Sequence, residues 1–266
     1  MRRRRLDAEL IRRGLFASAE DAAEAVAAGR VTVAGRTVGN PASLVARDEP
    51  IRVLEPPLAH ASRGGAKLAA ALARFGVDPS GRRCLDAGAS TGGFTDVLLD
   101  AGAASVVAVD VGYGQLSWRL RRDPRVTVME RTNVRDLRPG DLPGPVDLVT
   151  ADLSFVSLVT VLPALVPLGG EGSDLVLLVK PQFEARRGEV EAGGLVTDPA
   201  VWLQVLDRVA SACRDAGAGP LAAMASPLPG PAGNVEFFIH ARLGHPGRTV
   251  ELEAVVAEGT AVREAS

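Results

Sequence analysis

Apolar and polar positions change rhythm along the 266-residue chain. Near the start, Leu6, Leu10 and Ile11 recur at helical spacing and Gly14 ends that helix. Ser18 caps a second helix over Ala19 to Ala28, with Glu20, Asp21 and Glu24 near its positive end and Gly29 as its stop. Val31 to Val38 then alternates in strand fashion around a turn at Ala34-Gly35. Asn40-Pro41 turns the chain again, and Ile51 to Leu54 reads as a returning strand. Glu55-Pro56-Pro57 reads as a linker. The pattern predicts a small α+β domain over 1–55 and a linker over 56–61.

From residue 60 strands and helices alternate. Residues 66–75 read as a helix ended by Gly76, and Cys84 to Gly88 as a buried strand running into a glycine turn. Thr91 to Phe94 opens the next helix, and Ser105 to Asp110 is a strand ending in a carboxylate. Further strands fit Val126–Met129, Val146–Ala151, Leu175–Val179, Leu221–Ala225 and Val235–Ala241. Helices fit Gln115–Arg122, Ser157–Val166 and Ala200–Ala216, the last opened by Asp198-Pro199. This alternation predicts an α/β domain over 62–245, a parallel sheet covered on both faces, with ligands beyond the carboxyl ends of its strands. Residues 246–266 read as a helical tail without an assigned role.

Composition narrows the classes. With 47% hydrophobic but only 4% aromatic residues, the core is built from Ala, Val and Leu. Net charge is −2, so the whole protein is no basic nucleic-acid coat, yet Arg2 to Arg5 form one basic run. Two cysteines and three histidines, His60, His240 and His245, show no disulfide or metal-ligand spacing, so no metal is expected. No apolar run reaches the roughly 18 residues of a membrane helix, and the arginine run lacks the apolar stretch of a signal peptide. A cytoplasmic monomer without membrane contact is expected.

The chemistry concentrates at two places. Twenty-eight basic residues are Arg and only two, Lys67 and Lys180, are Lys. Arg stays protonated, whereas burial and neighbouring charge can turn Lys into a neutral amine that accepts a proton. Asp86-Ala87-Gly88-Ala89-Ser90-Thr91-Gly92-Gly93-Phe94 is a turn of small residues before a helix, and Asp110 follows about twenty residues on. Such turns also serve packing. Together with an acid placed for ribose hydroxyls, the turn points to a nucleoside cofactor.

Three resemblances follow from these residues. The front, with Arg12-Arg13-Gly14-Leu15, Ser18, Gly29 and Val31 to Gly35, resembles an S4 RNA-binding domain. Its basic face either contacts RNA phosphates or is an ordinary solvated face. The Asp86 turn and Asp110 resemble the Rossmann-like class I S-adenosylmethionine-dependent methyltransferases. Over nearly the whole chain, Ser62-Arg63-Gly64-Gly65-Ala66-Lys67, Leu85 to Thr95, Asp110 to Leu116, Ala151-Asp152-Leu153-Ser154-Phe155, Lys180-Pro181-Gln182-Phe183-Glu184 and Gly233 to Glu236 resemble the TlyA family, also called hemolysin A-like. That family's methyltransferase half is FtsJ-like.

The resemblance implies methylation of cytidine ribose 2′-hydroxyls in ribosomal RNA of one or both subunits, with S-adenosyl-L-methionine as cofactor. It implies a catalytic tetrad of Lys67, Asp152, Lys180 and Glu236. It implies a cofactor site of Asp86, Gly88, Ala89, Ser90, Gly92, Gly93, Phe94, Asp110, Val111, Thr132 and Asn133. It assigns RNA contacts to Arg4, Arg5, Arg12, Arg13, Arg30 and Arg63. Lys180 is then the base and Lys67 positions the hydroxyl, while the two carboxylates hold lysines and ribose. If the last strand runs antiparallel, Glu236 reaches the same sheet edge as the rest. The bland alternative pairs Lys180 with Glu236 and makes Asp152 a helix cap. Some relatives carry an aromatic in the linker, where this chain has Pro57-Leu58-Ala59-His60-Ala61. The competing functions are a non-catalytic ribosome-assembly factor and a membrane-active hemolysin.

Overall fold

A computed structural model describes residues 3–16, 18–54 and 60–265. Arg2 and the linker residues 56–59 lie outside the described residues. By internal packing the chain divides into two units, Met1–Leu58 and Ala59–Ser266.

The first unit packs helices α1 (Leu6–Arg12) and α2 (Ala19–Ala27) over small sheets. Leu6, Leu10, Ala22, Ala25, Val26 and Val31 are fully buried there. Ser18 caps α2 by accepting a hydrogen bond from Asp21 N at 3.1 Å, worth about 1 kcal/mol. Strands β2 (Val31–Val33) and β3 (Arg36–Thr37) meet at Ala34-Gly35, both left-handed, as a two-residue hairpin turn requires. The basic run is partly structural: Arg4–Arg5 forms strand β1 and pairs antiparallel with β4 (Leu44–Val45). Strand β5 (Ile51–Val53) closes the other side of β2.

The second unit is a seven-stranded sheet between helices. Its strands are β6 (Arg83–Ala87), β7 (Ser105–Val109), β8 (Val126–Met129), β9 (Val146–Ala151), β10 (Gly169–Val179), β11 (Ala218–Ala225) and β12 (Phe237–Leu243), in the order β11-β12-β10-β9-β6-β7-β8. Strands β10, β9, β6, β7 and β8 pair in parallel, while β12 runs antiparallel to both β10 and β11. One face carries α3 (Arg63–Phe75) and α4 (Gly93–Asp100), with Leu68, Leu98, Val106 and Phe238 in its core. The other carries α6 (Leu158–Leu165), α8 (Pro199–Asp215) and α9 (Leu252–Glu264), with Leu162 and Val205 packed over Val149 and Leu177, and the one-turn helix α7 (Pro181–Glu184) follows β10. Trp202 anchors this face, donating Nε1–H to the Val196 carbonyl at 2.8 Å and meeting Phe237 edge-on at 5.7 Å.

Four expectations shift. The helix expected over Gln115–Arg122 shrinks to α5 (Trp118–Arg121), because residues 110–117 form a loop tied by Gly112 N to Asp110 and by Ser117 N to the Thr91 carbonyl. Helix α3 begins at Arg63, earlier than residue 66, and takes in two glycines that lie close against neighbouring chain. Strand β10 starts at Gly169, with a register shift between Gly169 and Asp174. The C-terminal helix α9 belongs to the core: Val255 is buried, and a Cβ on Gly259 would press on the Phe237 ring.

Candidate active site

The carboxyl ends of β6, β7, β9 and β10 all open on one edge of the sheet, and the chain arrives there with its polar groups. After β6, Gly88 is left-handed, and a Cβ on it would overlap the Asp152 carbonyl oxygen. Asp152 N in turn donates to the Ala87 carbonyl at 2.9 Å. The glycine turn is thus pressed onto the loop after β9. After β7, Asp110 accepts from Ser90 N at 2.8 Å and from Gly112 N at 2.6 Å, which fixes its carboxylate at the strand end.

These loops border a cavity of about 560 Å³. Of the residues expected to bind a cofactor, Gly88, Ser90, Asp110, Val111, Thr132 and Asn133 line it. Asp86, Ala89, Gly92, Gly93 and Phe94 do not; they form the buried layer behind. Phe94 stacks near Phe238, and a Cβ on Gly93 would run into Ser62 Oγ. Burial pushes the Asp86 carboxyl up to about 7, against the 2.6 Å hydrogen bond it accepts from Thr95 Oγ1. Its Oδ1 is buried without a hydrogen-bond partner among the described residues. A pinned carboxylate, an exposed Val111 and the side-chain amide of Asn133 suit a nucleoside: hydroxyls for Asp110, an apolar base face for Val111, a base edge for Asn133.

The four tetrad residues form two ion pairs. Lys67 Nζ lies 2.6 Å from Glu236 Oε2, both buried. Lys180 Nζ lies 2.5 Å from Asp152 Oδ1 and donates to Ser154 Oγ at 3.1 Å. The alternative pairing of Lys180 with Glu236 is not what forms. One helix links the two pairs: a Cβ on Gly64 would stand 3.7 Å from Asp152 Oδ2, and Lys67 lies one turn further along the same face of α3. Glu236 immediately precedes β12, and its carbonyl accepts from Ser226 N at 2.8 Å. Because β12 is antiparallel, its first residues reach the edge where the parallel strands end.

Residues that lie in the quoted motifs but were given no role of their own complete the surroundings. Phe155 is 91% exposed, left-handed at φ 64°, and its ring centroid lies 5.2 Å from that of Phe183. Lys180 Nζ sits 5.9 Å from the Phe183 ring centroid. Asn234 ties loop to loop, accepting from Val196 N and donating to the Gly194 carbonyl, both at 2.9 Å. Buried Glu184 accepts from Ser157 Oγ and from Leu158 N, each at 2.5 Å. Elsewhere, His60, Asp96 and Asp100 gather, but Asp96 is already held by Arg119 and by Ala61 N.

The six expected RNA contacts, five of them in the first unit, separate into two kinds. Arg12 and Arg13 both bind Glu9, which they hold at about 2. Arg13 also donates to the carbonyls of Glu49 and Arg47, so it closes the module instead of offering a guanidinium to a partner. Arg5 pairs with Asp7, while Arg4 is exposed and Arg30 half-buried. The sixth, Arg63, lies in the second unit and is exposed at the start of α3.

Comparison with known proteins agrees with this geometry. Residues 60–243 match the FtsJ-like methyltransferase family. The chain is 54% identical over 242 residues to the 16S/23S rRNA (cytidine-2′-O)-methyltransferase TlyA of Mycobacterium tuberculosis, covering 91% of this chain and 90% of that one. It is 35% identical to the Hemolysin A of Brachyspira hyodysenteriae, over 89% of this chain and 98% of that one. Among solved structures, a protein described as a hemolysin from Streptococcus thermophilus superimposes with a TM-score of 0.77 at 37% identity, covering 100% of this chain and 98% of the other.

Proposed function

Because the chain belongs to the FtsJ-like methyltransferase family and, with its 54% identical relative, to the TlyA family, we propose that it methylates the 2′-hydroxyl of cytidine ribose in 16S or 23S ribosomal RNA. The observation that carries the reading is that Asp152, paired with Lys180, lines a nucleoside-sized cavity at the carboxyl edge of the sheet, while the Lys67–Glu236 pair sits on the helix that packs against Asp152.

S-adenosylmethionine, when bound, supplies a methyl group already activated on a sulfonium. Asp110 would receive the ribose hydroxyls of that cofactor, and Val111 and Asn133 would hold its base. The remaining task is to align the substrate oxygen and take its proton. Asp152 Oδ1 lies 2.5 Å from the Lys180 nitrogen as its counter-ion and Ser154 Oγ accepts one of its N–H bonds, which leaves a further position on the nitrogen for the substrate hydroxyl. Lys180, after passing its own ion-pair proton to solvent, takes the hydroxyl proton as the oxygen attacks. Lys67, held by Glu236, donates to the same ribose and fixes its approach. Phe155, exposed beside Lys180, offers an aromatic face on which an unstacked cytosine can lie. The N-terminal unit docks on folded RNA through Arg4 and Arg30.

The test is incorporation of labelled methyl from S-adenosylmethionine into purified ribosomal subunits, with the modified nucleotides mapped. Cofactor-dependent 2′-O-methylcytidine is expected. RNA binding without incorporation, under conditions where the cofactor binds, would overturn this reading in favour of an assembly factor.

A further inference from the structure

The loops after β9 and β10 are joined by contacts that differ in kind. The Lys180 contacts to Asp152 and Ser154 and the Phe155–Phe183 pair lie on the reacting side. The bond of Glu184 to Ser157 and Leu158 is buried: Glu184 is only 8% exposed and does not line the cavity. Burial raises its carboxyl, and the proposed chemistry gives it no task. A carboxylate is an expensive group to bury merely to fill space.

Its position supplies a reason. Phe155 is a bulky residue in a left-handed backbone conformation, which persists only where flanking structure holds it. Ser157 and Leu158, two and three residues on, are the groups that Glu184 grips, and Leu158 opens α6. At its other end, Glu184 lies one residue from Phe183 and four from Lys180. Its carbonyl is fixed in turn by Arg208 of α8. One carboxylate therefore locks both rings of the aromatic pair to the same two points.

We infer that Glu184 is a positioning residue that holds the Phe155–Phe183 pair in place for the RNA base. This rests on the methyltransferase reading above. The decisive variant is Glu184→Gln. It keeps the size and the Leu158 bond. It turns the Ser157 hydroxyl from donor into acceptor, a role Ser157 already fills for Val159 N at 3.2 Å. Ser157→Ala removes the same bond from the other side.

With wild type active, both variants are expected to raise KM for ribosomal RNA about tenfold, the size of one lost charge-assisted hydrogen bond, and to leave cofactor affinity unchanged. In a Phe155→Ala background, Glu184→Gln is expected to add less than twofold, because the ring it positions is gone. A full tenfold effect in that background, an unchanged KM, or loss of cofactor binding in Glu184→Gln would each overturn the inference. A wild-type protein that binds cofactor and incorporates no methyl would instead sink the methyltransferase reading itself.

Discussion

Lys180 Nζ stands 2.5 Å from Asp152 Oδ1, across the mouths of the adjacent parallel strands β10 and β9. Parallel neighbours end at the same level, so consecutive strands of the sheet deliver a cation and an anion to one point. Lys180→Arg keeps the charge and removes accessible basicity. Turnover is expected to fall by about 10²- to 10⁴-fold, with cofactor binding by calorimetry unchanged. Near-normal turnover in this variant would remove Lys180 from the role of base.

Gly230 tests the second pair without touching either charge. A Cβ there would lie 2.5 Å from Glu236 Oε1, so Gly230→Ala must push that carboxylate aside. Gly230 does not require a left-handed backbone, so the change adds no backbone strain. The expected result is a fall in kcat of about tenfold or more, with melting temperature nearly constant, since lost alignment costs rate before stability. Unchanged kcat would show that the Lys67–Glu236 geometry does not matter to turnover.

Asp86 gives a pH signature. Its folded pKa is raised to about 7, from about 3.9 in an unfolded chain. Between those values the unfolded state ionises first, so this group lowers stability as pH rises from about 4 to about 7. The loss amounts to about 4 kcal/mol. Asp86→Asn cannot ionise. The difference in unfolding free energy between variant and wild type is therefore expected to move toward the variant by about that amount between pH 4 and pH 8. A difference independent of pH would show that Asp86 titrates normally.

Asp174 carries the opposite sign. Burial opposes its charge, but His240 and Arg242 on Oδ1 and Arg82 on Oδ2 outweigh that and hold its pKa well below the ordinary range. Its contribution is complete above about pH 4 and is lost as pH falls through the depressed value. Asp174→Asn is expected to cost about 3 kcal/mol at pH 7, seen in urea unfolding, and progressively less in acid.

The arginines separate docking from architecture. Arg13→Ala leaves Glu9 half-paired and two carbonyls without their donor, and is expected to lower the stability of the first unit by about 3 kcal/mol. Arg63→Ala removes an exposed guanidinium. It is expected to leave melting unchanged and to reduce the salt slope of RNA binding by about 1. Equal behaviour of the two variants would erase the distinction.

Much of the fold was legible because its strands are short apolar runs punctuated by glycine and proline. β8 and β9 fall where those runs lie. Three features were not legible, for physical reasons. Periodicity carries no direction, so the antiparallel course of β12, on which the position of Glu236 depends, had to be seen. Gln115 to Ser117 are compatible with helix, but the bonds of Asp110 and Thr91 hold that stretch as a loop. The basic run gave no sign that Arg13 would be consumed by carbonyls 34 and 36 residues away. At the site, the family resemblance named the four residues, but which lysine meets which carboxylate is a property of register and helix face.

The Lys67–Glu236 contact spans 169 residues of chain. During synthesis at 5–20 residues per second, the lysine emerges roughly ten to thirty seconds before its carboxylate exists. Until β12 inserts between β10 and β11, α3 would have to bury an uncompensated cation against the sheet. The nascent chain thus has a reason to leave that helix loosely docked. The place next to the β11 edge of the sheet is filled last, by a strand made after its neighbour β11. The ion pair is therefore a late event: a chain stopped short of residue 236 has its glycine turn but lacks the partner of Lys67.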